Sequence, residues 1–407
     1  MTGTELTDEH RTDQELTADQ QWQRGRLTLL PGVSAQVIVD LDAIAANVAT
    51  LRSYAGSAGL MAVVKADGYG HGLLPSARAA IRGGADWLAT AQLGEALTLR
   101  QAGITVPLLS WLHAPGADFA GALAAGIDLG VSAQWDLHEI ATAARVVGRT
   151  ARIHLKIDTG LGRNGCSLAD LPALIAAIGP LAAEGAVRVV GVFSHFAYAD
   201  APEHPTVALQ EARFAEVVAA CERAGFPLEV RHLANSAATL TNPRARYDLV
   251  RPGLSVYGLS PVPDRGDSAS FGLTPAMSVI ARVALVKRLD AGQGISYGHE
   301  YVTDSVTQGV LLPIGYADGV PRAAGNRAPV WLGGQRFTIA GRVCMDQVVL
   351  DVGPDHLVSV GDPAVLFGTG QDSQPTAEDW AQATGTISYE IVTRMSARLP
   401  RSFIGEA

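Results

Sequence analysis

The chain has 407 residues, 48% of them hydrophobic, and a formal net charge of -9. That length exceeds one small core and suits two domains. The acidic balance, without a sustained basic run, argues against nucleic acid or an anionic membrane surface as the main partner, which leaves a small molecule. Cys166, Cys221 and Cys344 are an odd set without paired spacing, so neither a disulfide framework nor a zinc site is expected. No segment reaches the roughly 18 consecutive apolar residues of a membrane span, and acids stand where a signal peptide would have its apolar core. The expectation is a cytoplasmic protein without membrane contact or metal.

Residues 1–30 are dense in Thr, Asp, Glu and Gln and have almost no apolar periodicity, so they bury too little to offset ordering entropy. A disordered N-terminal extension is expected there; a short amphipathic helix formed against a partner is the alternative. A first strand follows at 37–39, then an amphipathic helix at 41–54 with Asp40 or Asp42 near its N-cap. Further strands are predicted at 60–65, 87–90, 107–111, 127–131, 153–157, 189–194, 230–233 and 250–256. Ala-rich helical patterns such as 92–102, 134–147 and 206–224 lie between them. Eight strands alternating with helices suggest a (β/α)8 barrel over 31–271, although alternation alone leaves an open doubly wound sheet available. After Gly272 helices become scarce, and strands at 279–289, 308–315, 330–333, 336–343, 348–352 and 364–367 predict a mostly-β domain over 272–407. Gly333-Gly334 is a hairpin turn there, and a helix is expected at 377–383.

The barrel reading demands functional residues just beyond strand C-termini. Lys65 closes the first barrel strand, Arg163 follows the fifth, His195 ends the sixth, Asn235 and Ser236 follow the seventh, and Arg251 with Gly253 lies in the eighth segment. A lysine at the end of an apolar run is drawn out of water, which lowers its pKa and makes its amine a nucleophile for carbonyls. Taken alone, Lys65 could equally snorkel to solvent.

The decapeptide VVKADGYGHG at 63–72, followed by LKIDTGLGRNG at 155–165, Ser194-His195, Asn235-Ser236, Arg251-Pro-Gly-Leu254 and Ile295-Ser-Tyr-Gly-His299, resembles the signature set of alanine racemases. The resemblance covers most of the chain from about Val37 to Pro400. It implies pyridoxal 5'-phosphate (PLP) in Schiff-base linkage to Lys65. Tyr69, Asn235, Ser236, Gly253, Leu254 and Tyr389 then serve its phosphate side, and His195 and Arg251 its ring. Arg163, Met345, Asp346 and Tyr316 stand toward the substrate. Lys156 falls where some members carry a carbamylated lysine that orients the arginine. His71 belongs to the signature, but a satisfied histidine near the following helix is the better reading.

Racemisation removes a proton from one face of Cα and returns one to the other, so two bases are expected. The resemblance names Lys65 and Tyr297, the second supplied by the partner protomer of a homodimer with shared sites. A tyrosine in that role needs positive charge or donors beside it, and His195 backed by Arg163 meets the need. An arginine where PLP enzymes usually place a carboxylate opposes protonation of the pyridine nitrogen and shortens the life of the carbanion. The function implied is interconversion of L- and D-alanine, supplying D-alanine for peptidoglycan. A PLP-dependent decarboxylase of basic amino acids shares the architecture but calls for acids where Arg251 stands. A single-barrel PLP-carrier protein would lack the β-domain.

Overall fold

The computed structural model describes residues 29–406. The expected disordered extension lies outside the described residues, apart from Leu29 and Leu30. Eight parallel strands form the barrel: Gly59–Val63, Trp87–Thr90, Leu108–Ser110, Asp128–Val131, Ala151–Asp158, Val187–Phe193, Val230–His232 and Leu249–Val250. From the first to the seventh each pairs with the next, and the eighth returns to pair with the first. Between the seventh and eighth, Asp248 N donates to Arg231 O and Arg251 N to Ala234 O, so the ring closes by backbone hydrogen bonds. The strands read as continuous apolar runs because both faces are covered, by helices outside and side chains inside.

The first strand, Ala35–Asp40, is not part of the ring. It pairs antiparallel with Met277–Arg282 and parallel with the edge strand Arg401–Ile404, in a six-stranded sheet otherwise built by C-terminal residues. The start of the 31–271 segment thus lies in the β-sheet and the chain crosses into the barrel at Asp40. The Asp40 carboxylate accepts from Asp42 N and Ala43 N, capping the helix Leu41–Ala55. A second sheet of Leu285–Leu289, Thr307–Leu312 and Val348–Asp351 packs beside the first. The predicted strand at 279–289 is therefore two strands in two sheets.

Gly333 and Gly334, with φ of 55° and 89°, make the two-residue hairpin between Pro329–Leu332 and Gln335–Thr338. The helix Ala377–Thr384 starts at a capping box built by Thr376 and Asp379. Two expectations change at strand ends. The first barrel strand stops at Val63, and Lys65 opens a short turn instead. The eighth stops at Val250, because Gly253 breaks the extended run and 254–257 forms a 3-10 turn.

Candidate active site at the C-terminal end of the barrel

A cavity of about 600 Å³ opens where the barrel strands end. Lys65, Tyr69, Lys156, Arg163, His195, Asn235, Ser236, Arg251, Gly253, Leu254 and Tyr389 all line it. Sequence reasoning missed Trp111, Phe193, Ile387, Glu390 and Thr393, which line it too. Phe193 was within reach: it stands two residues before His195 at a strand end, and strand periodicity is two. The others had no such signal.

Lys65 begins a backbone segment that L-residues rarely adopt. Ala66, Asp67, Gly68 and Tyr69 have φ of 55°, 53°, 60° and 52°, one turn of left-handed helix. Such a conformation costs about 1–2 kcal/mol for each residue with a Cβ, so the surroundings must hold it. Leu73 N donates to the Asp67 carboxylate at 2.8 Å, Gly72 N to Asp67 O at 2.8 Å, and Arg401 Nε to Gly70 O at 2.9 Å. His71 Nδ1 lies 3.0 Å from both Gly68 O and Tyr69 O; two carbonyls make it the protonated nitrogen. The ring stacks on Tyr257 and is fully buried, which lowers its pKa to about 4 and keeps it neutral. Gly68 and Gly70 are required by space as well as φ: a Cβ would meet Ser76 Oγ at 2.7 Å and Val392 O at 2.5 Å. Burial lowers the pKa of Lys65, and Arg163 lowers it further, while Glu95 acts the other way.

At one end of the cavity Tyr69 and Gly253 touch so closely that a Cβ on Gly253 would lie 2.2 Å from Tyr69 Oη. Ser236 Oγ accepts from Gly253 N at 2.8 Å and Ser255 N at 3.3 Å, fixing that loop. The Asn235 side chain accepts from Ala238 N and so caps the segment Ser236–Thr241. Tyr389 comes from the short helix Ser388–Thr393, its ring 6.2 Å from that of Tyr69.

Part of the lining is cationic. Arg251 is buried and no carboxylate stands among its hydrogen-bond partners: it donates to Ser194 O at 2.7 Å, Leu233 O at 3.3 Å and His232 Nδ1 at 3.2 Å, with His195 Nδ1 at 3.5 Å. Burial lowers its pKa to about 9, which leaves it protonated at neutral pH. His232 Nε2 meets His154 Nδ1 at 2.9 Å, and His154 Nε2 meets Asp128 at 3.2 Å. One tautomer pattern satisfies this chain: each imidazole donates from Nε2 and accepts at Nδ1. Burial first, and Arg251 second, hold His232 and His195 well below the ordinary histidine value. Lys156 is also buried; desolvation, then the charges of Arg251 and Arg163, lower its pKa to about 7.

Tyr297, Tyr316, Met345 and Asp346 do not line the cavity. They form an exposed group on the β-domain. Tyr297 is 71% exposed, and its neighbour Ser296 donates to Arg342 O and meets Cys344 Sγ at 3.3 Å. Tyr316 N donates to Cys344 O, and Asp346 pairs with Arg398 at 2.7 Å. All three cysteines are free, Cys166 and Cys221 buried. Among the described residues no cluster of His, Cys, Asp and Glu suits a metal ion, and no helix is long and apolar enough to cross a membrane.

Family models described as the N-terminal and C-terminal domains of alanine racemase match residues 39–261 and 276–403, which together take in both the cavity and the exposed tyrosine group. The chain belongs to the alanine racemase family. An alanine racemase of Frankia casuarinae is 59% identical over 90% of this chain and 95% of its own length. The solved alanine racemase of Streptomyces lavendulae superposes with a TM-score of 0.91 at 52% identity, covering 93% of this chain and 99% of that one. That of Bacillus anthracis, solved with bound L-Ala-P, gives 0.83 at 34% identity over 93% of this chain and 96% of that one. Fold and activity class follow: a (β/α)8 barrel with a mostly-β domain, in an isomerase acting as an amino-acid racemase.

Proposed function

We propose that this racemase interconverts L- and D-alanine, with PLP held through Lys65 and with Tyr297 of a second copy of the chain as the opposing base. The observation that carries this reading is the division of the groups. Lys65 stands in the cavity, whereas Tyr297, Tyr316, Met345 and Asp346 cluster outside it and exposed. A homodimer that brings the second group over the first completes the site.

The residues fit PLP. A lysine of lowered pKa, a close-packed Tyr69–Gly253–Ser236 corner and an excess of buried cations suit an aldehyde, a phosphate and anionic groups respectively. Bound PLP supplies the sink for the electron pair left when the α-proton departs. The amine of Lys65 takes or returns that proton on one face, and the phenol of Tyr297 on the other. Arg251 keeps fixed positive charge in the cavity and opposes protonation of a ring nitrogen placed against it, which disfavours the decarboxylase reading. Arg163 offers a planar donor pair to the substrate carboxylate. Lys156, with a free amine available near pH 7, suits carbamylation. The resulting anion would turn repulsion from Arg163 and Arg251 into attraction. In a cell the product D-alanine serves peptidoglycan synthesis, and the enzyme is cytoplasmic.

Incubating each alanine enantiomer with protein and PLP tests the function by circular dichroism. Decay of the signal from both to zero is the expected result; release of carbon dioxide would favour the decarboxylase. Gly253→Ala drives a methyl into Tyr69 Oη, an overpacking of about 1–3 kcal/mol. PLP affinity, followed by absorbance titration, is expected to fall roughly tenfold to hundredfold.

A further inference from the structure

Glu95 does not line the cavity. It sits at the third position of the helix Leu93–Gln101, directly after the second barrel strand. One carboxylate oxygen accepts from Gln92 N at 3.2 Å, the ordinary work of a residue in that position. The other reaches across to the neighbouring loop and accepts from Asp67 N at 3.3 Å, inside the left-handed turn and two residues beyond Lys65. The other hydrogen bonds on that turn take up carbonyls from Ala66 to Gly70, the Asp67 carboxylate and the amide of Gly68, whereas Glu95 takes the amide of Asp67. Glu95 thereby holds the start of the turn, where Ala66 and Asp67 have φ of 55° and 53°.

The charges around Lys65 give the same carboxylate a second effect. Arg163 from the fifth strand's loop opposes the ammonium form, Lys156 and His195 line the same cavity, and the Tyr69 ring lies 6.0 Å from Nζ. Glu95 is the negative group that favours the charged amine. We propose that Glu95 is a positioning residue for Lys65: it pins the left-handed turn that aims the amine and holds a negative charge against that turn, two residues from the amine's own backbone. This deepens the assignment of Lys65 as the cofactor-bearing amine and rests on it.

The test reads Lys65 directly in cofactor-free protein, by its rate of acetylation with acetic anhydride against pH, followed on the Lys65 peptide by mass spectrometry. Glu95→Gln keeps the acceptor and removes the charge, so the profile is expected to move to lower pH with its plateau unchanged. Glu95→Ala removes both; the profile moves down and PLP affinity falls about tenfold. Glu95→Asp restores the profile toward wild type. A Glu95→Gln profile that overlays wild type overturns the proposal. So does a lower melting temperature in both variants with no movement of the profile, which would make Glu95 a helix cap only. Borohydride reduction with PLP separates the two readings. A label away from Lys65 ends the cofactor assignment, whereas a label on Lys65 with an unmoved profile ends the role of Glu95 alone.

Discussion

Lys65→Ala and Tyr297→Ala are each expected to lower racemisation by about four orders of magnitude, and yet equimolar mixtures of the two inactive chains are expected to recover about one quarter of wild-type activity. The folds should survive, because the Lys65 amine lies in a cavity and Tyr297 is 71% exposed. If each site takes its lysine from one chain and its tyrosine from the other, a mixed dimer has one site with both residues mutated and one with both intact. Random exchange makes about half the dimers mixed, which yields the one quarter. A site built within a single chain recovers nothing. Zero activity, with exchange demonstrated by mass spectrometry of the dimers, would sink the shared-site assignment. Hydrogen exchange at Cα offers an independent view: Tyr297→Ala should suppress abstraction from one enantiomer more than from the other.

The barrel was legible because its strands are short, apolar and separated by helices whose periodicity is clear, so Thr90, Val131 and Phe193 end their strands at or next to where pattern alone puts them. The membership of Ala35–Asp40 was not legible. Its apolar pattern suits a strand in either sheet, and only long-range pairing with Met277–Arg282 decides which. The cavity residues announced themselves as polar side chains at strand ends, a position with a physical meaning. Trp111 and Thr393 carry no comparable mark, since an aromatic or a threonine near a loop serves many purposes. The left-handed turn after Lys65 was hidden for another reason. Gly68 and Gly70 signal positive φ, but Ala66, Asp67 and Tyr69 adopt it against their own preference, imposed by hydrogen bonds from Leu73, His71 and Arg401. Local sequence cannot reveal a strain that distant residues enforce.

That enforcement also makes the protein sensitive to acid. His71 and His232 are fully buried, and burial depresses both, His71 to about 4 and His232 well below the ordinary value. A histidine whose folded pKa is depressed favours the folded state above its unfolded value of about 6.5, and loses that advantage as pH falls below it, because the unfolded chain binds the proton first. At pH 5.5 His71 alone costs about 1 kcal/mol relative to pH 7, a sizeable part of a typical stability of about 5–15 kcal/mol, and His232 adds to it in the same direction. His113, lowered to about 4, and His195 act in the same direction. The buried carboxyls of Asp136 and Glu378, raised by desolvation, act in the opposite sense, gaining as pH falls through their raised folded values. The urea midpoint is therefore expected to fall between pH 7 and 5.5. His71→Asn checks the cause: its amide can still donate to Gly68 O and Tyr69 O, so neutral-pH stability drops through lost stacking on Tyr257. The difference between the two pH values should shrink by about 1 kcal/mol. An unchanged difference would remove His71 from the account and place the acid sensitivity with the Arg251–His232 chain instead.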